Sequence, residues 1–189
     1  MDRVEFEAQA LEHLDAVYRM ALQLSRRPED AADLVQETFL KALKASDRFE
    51  PKGGGIRPWL LKILRNVFYS RVVREQRSPA ASENIHFYPS ASPGPDESKP
   101  AWNLAAMDWE QVDDRLKSAI NSLNPEYREV LLLWGVEGMK YREIALIVDV
   151  PIGTVMSRLF RARAALVQQL GPLAAEVGIR VEDEKSGAE

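Results

Sequence analysis

Residues 141–163 read YREIALIVDVPIGTVMSRLFRAR, and this stretch decides the class of the protein. Its apolar residues recur at three- and four-residue steps on either side of a short break at Asp149-Val150-Pro151. That pattern predicts two helices joined by a tight turn. A short helix over 140–148, a turn, and a second helix to about Leu170 is the layout of a helix-turn-helix, whose second helix can enter the major groove of DNA. Ala145 is small where the two helices must approach. Ile152, Val155, Leu159, Ala162 and Leu166 share one helical face and are expected to pack inward. Thr154, Ser157, Arg158 and Arg161 are assigned to an outward face, with Arg163 further round, where they suit base edges and phosphates. The same pattern also fits an amphipathic helix with a solvated basic face. The helix-turn-helix spacing and the basic bias together favour DNA contact.

Upstream of this stretch, Asn124-Pro125-Glu126 has the chemistry of a helix start: a capping side chain, then proline at the first helical position. Gly138 is a natural terminator for that helix. Further back, residues 78–100 carry Pro79, Pro89, Pro93, Pro95 and Pro100 among five serines, too little apolar surface to fold alone. Phe87, Tyr88 and Trp102 are unexpected in a purely solvated spacer. Before the spacer the chain reads as helical again. Leu11, Leu14, Tyr18 and Leu22, and beside them Ala10, Val17 and Ala21, recur with helical spacing. Pro28 suits the first turn of a second helix, with Ala31, Leu34, Val35, Thr38, Phe39 and Ala42 on its inward face. After the loop Pro51-Lys52-Gly53-Gly54-Gly55, a third helix carries Leu60, Ile63, Leu64 and Val67 as its buried stripe.

The expected architecture is all-α. It comprises a helical bundle over 1–77, a flexible linker over 78–108, a helix-turn-helix domain over 109–170 and an acidic tail over 171–189. With 189 residues, 46% of them hydrophobic, two small cores are affordable. The net charge of −4 argues weakly against nucleic acid, but its distribution argues for it. Arg57, Lys62, Arg65, Arg71, Arg74 and Arg77 are opposed only by Glu75 between positions 57 and 77, and Arg158, Arg161 and Arg163 form a second basic run.

Several classes are excluded or disfavoured. Cysteine is absent, so disulfides and thiolate metal sites cannot form. His13 and His86 are the only histidines and lack metal-ligand spacing, so no metal or other cofactor is expected. Gly53-Gly54-Gly55 lacks the Gly-Lys-Ser/Thr ending of a phosphate loop, and no catalytic constellation stands out. No apolar run is long enough to span a membrane, and residues 1–5 lack the features of a signal peptide, which together point to the cytoplasm.

Two further groupings matter. Asp33, Gln36 and Glu37 lie at i, i+3 and i+4 on an outward face, and spacing alone makes them a solvated polar surface. In the third helix Lys62, Arg65, Asn66, Tyr69, Ser70 and Arg74 lie off the apolar stripe, interleaved with Trp59 and Phe68. Basic residues with aromatics suit single-stranded nucleic acid, where charges follow the backbone and rings stack on bases. Trp59 and Phe68 also suit the core.

As a set, Asp33–Ala42 (DLVQETFLKA), Arg57–Asn66 (RPWLLKILRN) and the 141–163 segment, in that order, resemble extracytoplasmic-function sigma factors of the sigma-70 family. The resemblance implies a factor that binds core RNA polymerase and directs promoter recognition without catalysis of its own. It implies that Asp33, Gln36 and Glu37 dock on the clamp helices of the polymerase β′ subunit, reversing the reading from spacing. It implies minus-ten contacts from Arg57, Lys62, Arg65, Asn66, Tyr69 and Arg74, with the loop over 49–56 cradling a flipped-out base. Minus-thirty-five contacts are implied for Thr154, Ser157, Arg158, Arg161 and Arg163, on a domain that also touches the β flap. Partners would be core polymerase, promoter DNA and an anti-sigma factor. Ser70 and Met156 stand where the family often has Asp and Lys, which removes any carried-over DNA contact at those two positions. The competing reading is a helix-turn-helix regulator that binds its operator alone. A sigma-mimicking partner-switch protein is a third, without the βαβ pattern of the receiver domain that usually accompanies it.

Overall fold

The computed structural model describes residues 3–49, 55–76 and 113–176. The 78–108 linker with His86, Phe87, Tyr88 and Trp102, the tip of the glycine-rich loop and the end of the acidic tail lie outside the described residues. The described residues form helices and no strands. The helices are α1 (Arg3–Leu11), α2 (Leu14–Ser25), α3 (Pro28–Lys44), α4 (Ile56–Gln76), α5 (Asp114–Ser122), α6 (Pro125–Gly135), α7 (Tyr141–Val148) and α8 (Ile152–Glu176).

The helix ends follow the local chemistry. Asp113 caps α5 by accepting from the Arg115 N–H at 2.7 Å, and Asn124 caps α6 by accepting from the Glu126 N–H at 3.0 Å. Pro28 and Pro125 occupy first turns, where a missing N–H costs nothing. The chain between α6 and α7 reverses through Gly138 at φ +63°, a left-handed conformation that glycine adopts without a Cβ penalty. The tight turn of the helix-turn-helix passes through Asp149 at φ 57°, tolerable because a short polar side chain can enter this region. The last helix runs past its expected end to Glu176, through Pro172. Proline's fixed φ is helical, so the turn survives with one backbone bond fewer.

In the N-terminal half, α2, α3 and α4 pack together around Val17, Ala21, Ala31, Leu34, Leu60, Leu64 and Val67. Thr38 is buried among them and its hydroxyl donates to the Leu34 carbonyl at 2.6 Å, which satisfies it within its own helix. Of the two apolar sets along α1 and α2, Ala10, Val17 and Ala21 are buried whereas Leu11, Leu14 and Tyr18 stay exposed. A break at residues 12–13 lets α1 fold back so that Phe6 packs with Phe49 and Trp59, at centroid distances of 5.2–5.7 Å around the trio. Trp59 is thus anchored from both sides.

In the C-terminal half, Val155, Leu159, Ala162 and Leu166 of α8 bury against α6 and α7 as expected. The two helical halves expected from the sequence are in contact with each other. Helix α7 packs on α4, α2 touches α6, and one continuous apolar cluster runs from Phe6 to Leu166. Helix α6 explains this: from Arg128 to Gly135 every residue is buried. From Val130 to Gly135 the helix is apolar on all sides and must be covered on all sides, and α7 and α8 supply only part of the cover.

Candidate nucleic-acid interface

The contact between the halves falls on the face of α4 that the sequence assigns to promoter DNA. Two carboxylates of the C-terminal half, Glu129 on α6 and Glu137 in the following turn, are each only 2% exposed. Burying an unpaired carboxylate is prohibitively costly, so each must find a cation. Glu129 accepts from Arg65 Nε at 2.9 Å and from the Tyr69 hydroxyl at 3.4 Å. Glu137 accepts two bonds from the Arg19 guanidinium, both at 3.3 Å, and a third from Arg57. The guanidinium of Arg65 also lies 4.8 Å from the Tyr69 ring centroid. At the edge of the same contact, Arg26 donates to the Asn121 carbonyl and Arg128 to the Gln23 carbonyl, both at 2.9 Å.

The electrostatics follow from burial. Loss of water pushes the Glu129 carboxyl up, and Arg65 and Tyr69 pull against that shift. Burial, reinforced by the Glu129 charge, raises the Tyr69 hydroxyl to about 12, so it remains a donor. His13 is held below its ordinary value by burial and then by the neighbouring Arg57 charge. Arg128 is also lowered, first by burial and then by Arg26.

The proposed minus-ten residues therefore divide. Arg57, Arg65 and Tyr69 are engaged by the other half of the chain, Lys62 is half-buried, and Asn66 and Arg74 are exposed. Phe68 is half-buried, edge-on to Tyr69 at 5.3 Å.

On α3, Asp33 and Gln36 are exposed side by side. Glu37 beside them accepts from Arg71 at 2.6 and 3.0 Å and pairs with Lys41 at 3.0 Å. The Arg71 hydrogen bond, with Lys41 second, holds its carboxyl below the usual range.

On α8, Ser157 and Arg161 are exposed and Thr154 is half-buried. Arg158 does not take the outward position expected of it. Its side chain is 11% exposed and pairs with Glu126 at 3.0 Å. Arg161 donates to the Tyr127 hydroxyl at 3.2 Å, and Arg163 stacks over Trp134 at 4.2 Å. The residues that sequence reasoning missed are Glu129 and Glu137. Their signal was available: two carboxylates bracket the uncharged run Val130–Val136. Among the described residues no cluster of histidine and carboxylates could hold a metal ion, and no helix is long and apolar enough to cross a membrane.

Comparison with known proteins matches two separate stretches of the chain. Residues 10–78 match Sigma-70 region 2 and residues 113–166 match Sigma-70, region 4. The chain is 34% identical over 167 residues to the ECF RNA polymerase sigma factor SigE of Mycolicibacterium smegmatis, spanning 87% of this chain and 61% of that protein. It is 33% identical over 148 residues to the ECF RNA polymerase sigma-E factor of Escherichia coli K12, covering 76% and 75% of the two chains. Among solved structures, the sigma factor RpoE of Bartonella quintana, crystallised with the anti-sigma factor NepR, superposes with a TM-score of 0.64. It shares 31% identity over 88% of this chain and 97% of that one. The fold is also that of CnrH in its complex with the cytosolic domain of CnrY, with a TM-score of 0.61 at 23% identity over 90% of each chain.

Proposed function

The chain belongs to the extracytoplasmic-function sigma factors of the sigma-70 family, and from that premise we propose how its residues divide the work. It binds core RNA polymerase and directs it to promoters, acting in the cytoplasm as a specificity factor without catalysis of its own. The observation that carries this reading is the coincidence of two family regions, in order, with two helical halves that each contain a helix rich in arginine.

In this reading residues 1–77 dock on polymerase through Asp33, Gln36 and Glu37, against the β′ clamp helices. Arg57, Lys62, Arg65, Asn66, Tyr69 and Arg74 receive the melted minus-ten strand, with guanidinium groups following phosphates and Tyr69 offering a ring. Residues 109–170 read the minus-thirty-five duplex through Thr154, Ser157, Arg158, Arg161 and Arg163 on α8, and touch the β flap. The 78–108 segment spans the two. Arg158 must leave Glu126 to take part. An anti-sigma factor is expected as a partner, on the strength of the Bartonella relative and its NepR complex.

The test is in vitro transcription from a library of genomic fragments with core polymerase, with and without the chain. Transcripts that appear only with both components, sharing an upstream and a minus-ten element, are the expected result. A polymerase-independent, nanomolar and salt-resistant complex of the chain with duplex DNA would instead favour a stand-alone regulator.

A further inference from the structure

Helix α8 carries an apolar stripe that is not the one packed on α6 and α7. Phe160 and Val167 are 68% and 46% exposed, and Ala164 lies exposed between them. Gly171 continues the line, and at 3.6 residues per turn the four fall within about 60° of arc. Gly171 stands inside the helix, where glycine is the weakest former after proline. Its backbone is not in the left-handed region, and among the described residues nothing lies within 4 Å of the place a Cβ would occupy. Packing within the chain therefore gives no reason for the missing side chain. A neighbour from outside the chain would give one.

We propose that the free chain pairs with a second copy of itself through this stripe, the two α8 helices running antiparallel. Read in opposite directions, the stripe is its own complement in size. Phe160 meets Gly171 of the second copy, Ala164 meets Val167, and a two-fold axis repeats both contacts. Parallel pairing would set Phe160 against Phe160 and leave a gap between two glycines, which close packing disfavours. The charges agree with the antiparallel register. Residues 152–175 hold three arginines and no carboxylate. Arg158 pairs with Glu126 and Arg163 stacks on Trp134, while Arg161 comes beside the second copy's uncharged Gln168, so no arginine faces another. Val167 and Gly171 also lie past residue 166, where the match to Sigma-70, region 4 ends. Ser157 and Arg161 flank the stripe, so on the reading of α8 as the recognition helix a paired copy cannot offer it to a duplex. The pairing itself does not depend on that reading.

Three turns of helix are far less than a standard interface, so the pairing should be weak and should appear only as concentration rises. Sedimentation equilibrium of the full chain over a rising concentration series should show monomer and dimer in exchange. Nothing larger should form, since a two-fold contact closes on itself. Gly171→Leu fills the gap that receives Phe160 and should weaken the dimer about tenfold, as losing a central aromatic contact does. Its melting temperature should hold or rise, because the new side chain meets open space and favours the helix. Phe160→Ala should weaken the dimer to a similar degree. The chain contains no cysteine, so Ser157→Cys on the exposed flank of the stripe carries a single spin label for double electron–electron resonance at high concentration. The antiparallel register sets the two labels of a dimer about 25–30 Å apart, from the rise of the helix, and a parallel pair would bring them within about 15 Å. A chain that sediments as a monomer throughout overturns the proposal. A Gly171→Leu dimer as strong as the parent's overturns the stripe as its interface, and the shorter label distance overturns the antiparallel register.

Discussion

The two long helices of the N-terminal half make a useful contrast. On α3, Asp33 and Gln36 face solvent and Glu37 is held upright by Arg71 and Lys41 of the same half. On α4, Arg57, Arg65 and Tyr69 are held by carboxylates from the other half. One polar surface is prepared and open, and the other is prepared and covered. In the proposed roles, the docking residues of α3 are accessible in this form, whereas three of the minus-ten residues of α4 are engaged.

The strongest way to break the contrast is to remove a cation from the covered face. Arg65→Leu leaves Glu129 buried without its guanidinium, and losing one partner of a buried pair costs about 3–5 kcal/mol. The urea midpoint should fall accordingly, unless the halves part first and cap the loss. Adding Glu129→Leu should recover most of it. If the single variant melts like the parent chain, Glu129 was never deprived of water and the covered face is not covered in solution.

On the open face, Gln36→Ala with Glu37→Ala should weaken core polymerase binding by about thirtyfold or more, as loss of an interface hot spot does. Stability should move by about 1 kcal/mol or less, since Gln36 is exposed and the Glu37 pairs with Arg71 and Lys41 are screened by water. Unchanged polymerase affinity would make α3 a merely solvated surface.

The recognition helix offers a third, smaller test, because its arginines are also restrained, though by neighbours in their own half. Arg161→Ala should relax preference at one or two upstream promoter positions by about tenfold, within the worth of a good base contact. Arg163→Ala should weaken all promoters about equally and reduce the salt dependence. Arg158→Ala decides whether that side chain ever leaves Glu126: transcription from a library randomised across the upstream element should lose sequence preference if it does. Uniform loss would restrict Arg158 to bracing α6.

The smallest effect concerns Glu37. Its carboxyl is lowered in the folded chain, so the stability it adds is present above the ordinary carboxylate range and is lost as pH falls through the lowered value. Arg71→Gln should move the titration of Glu37 back up toward that range, read from its side-chain carboxyl carbon by NMR. A titration that does not move would assign the shift to Lys41.

Much of this was legible in the sequence because it is local. The cap at Asn124, the first-turn proline at position 28, the turn at Asp149 and the inward stripe of α8 each depend on residues within a turn or two of one another. The contact between the halves was not legible, since Arg65 and Glu129 lie 64 residues apart, and Arg57 and Glu137 lie 80 apart. Periodicity says which face of a helix is apolar, but not what covers it. Leu11, Leu14 and Tyr18 show the converse, an apolar face with helical spacing that the fold leaves exposed. Arg158 was a misreading that spacing could have prevented, because it stands one turn before buried Ala162 and so leans toward the same stripe.

The encasement of α6 has a cost for the cell that makes this protein. A helix with Val130, Leu131, Leu132, Leu133 and Trp134 all buried has no side suited to water, so parting the halves uncovers part of it. A chain opened without a new cover exposes an apolar patch and is prone to aggregate. The time a free copy survives should therefore track how much of that time it spends shut. Copies engaged by polymerase or an inhibitor would outlast idle ones, so turnover of the factor could report its occupancy with no dedicated sensor.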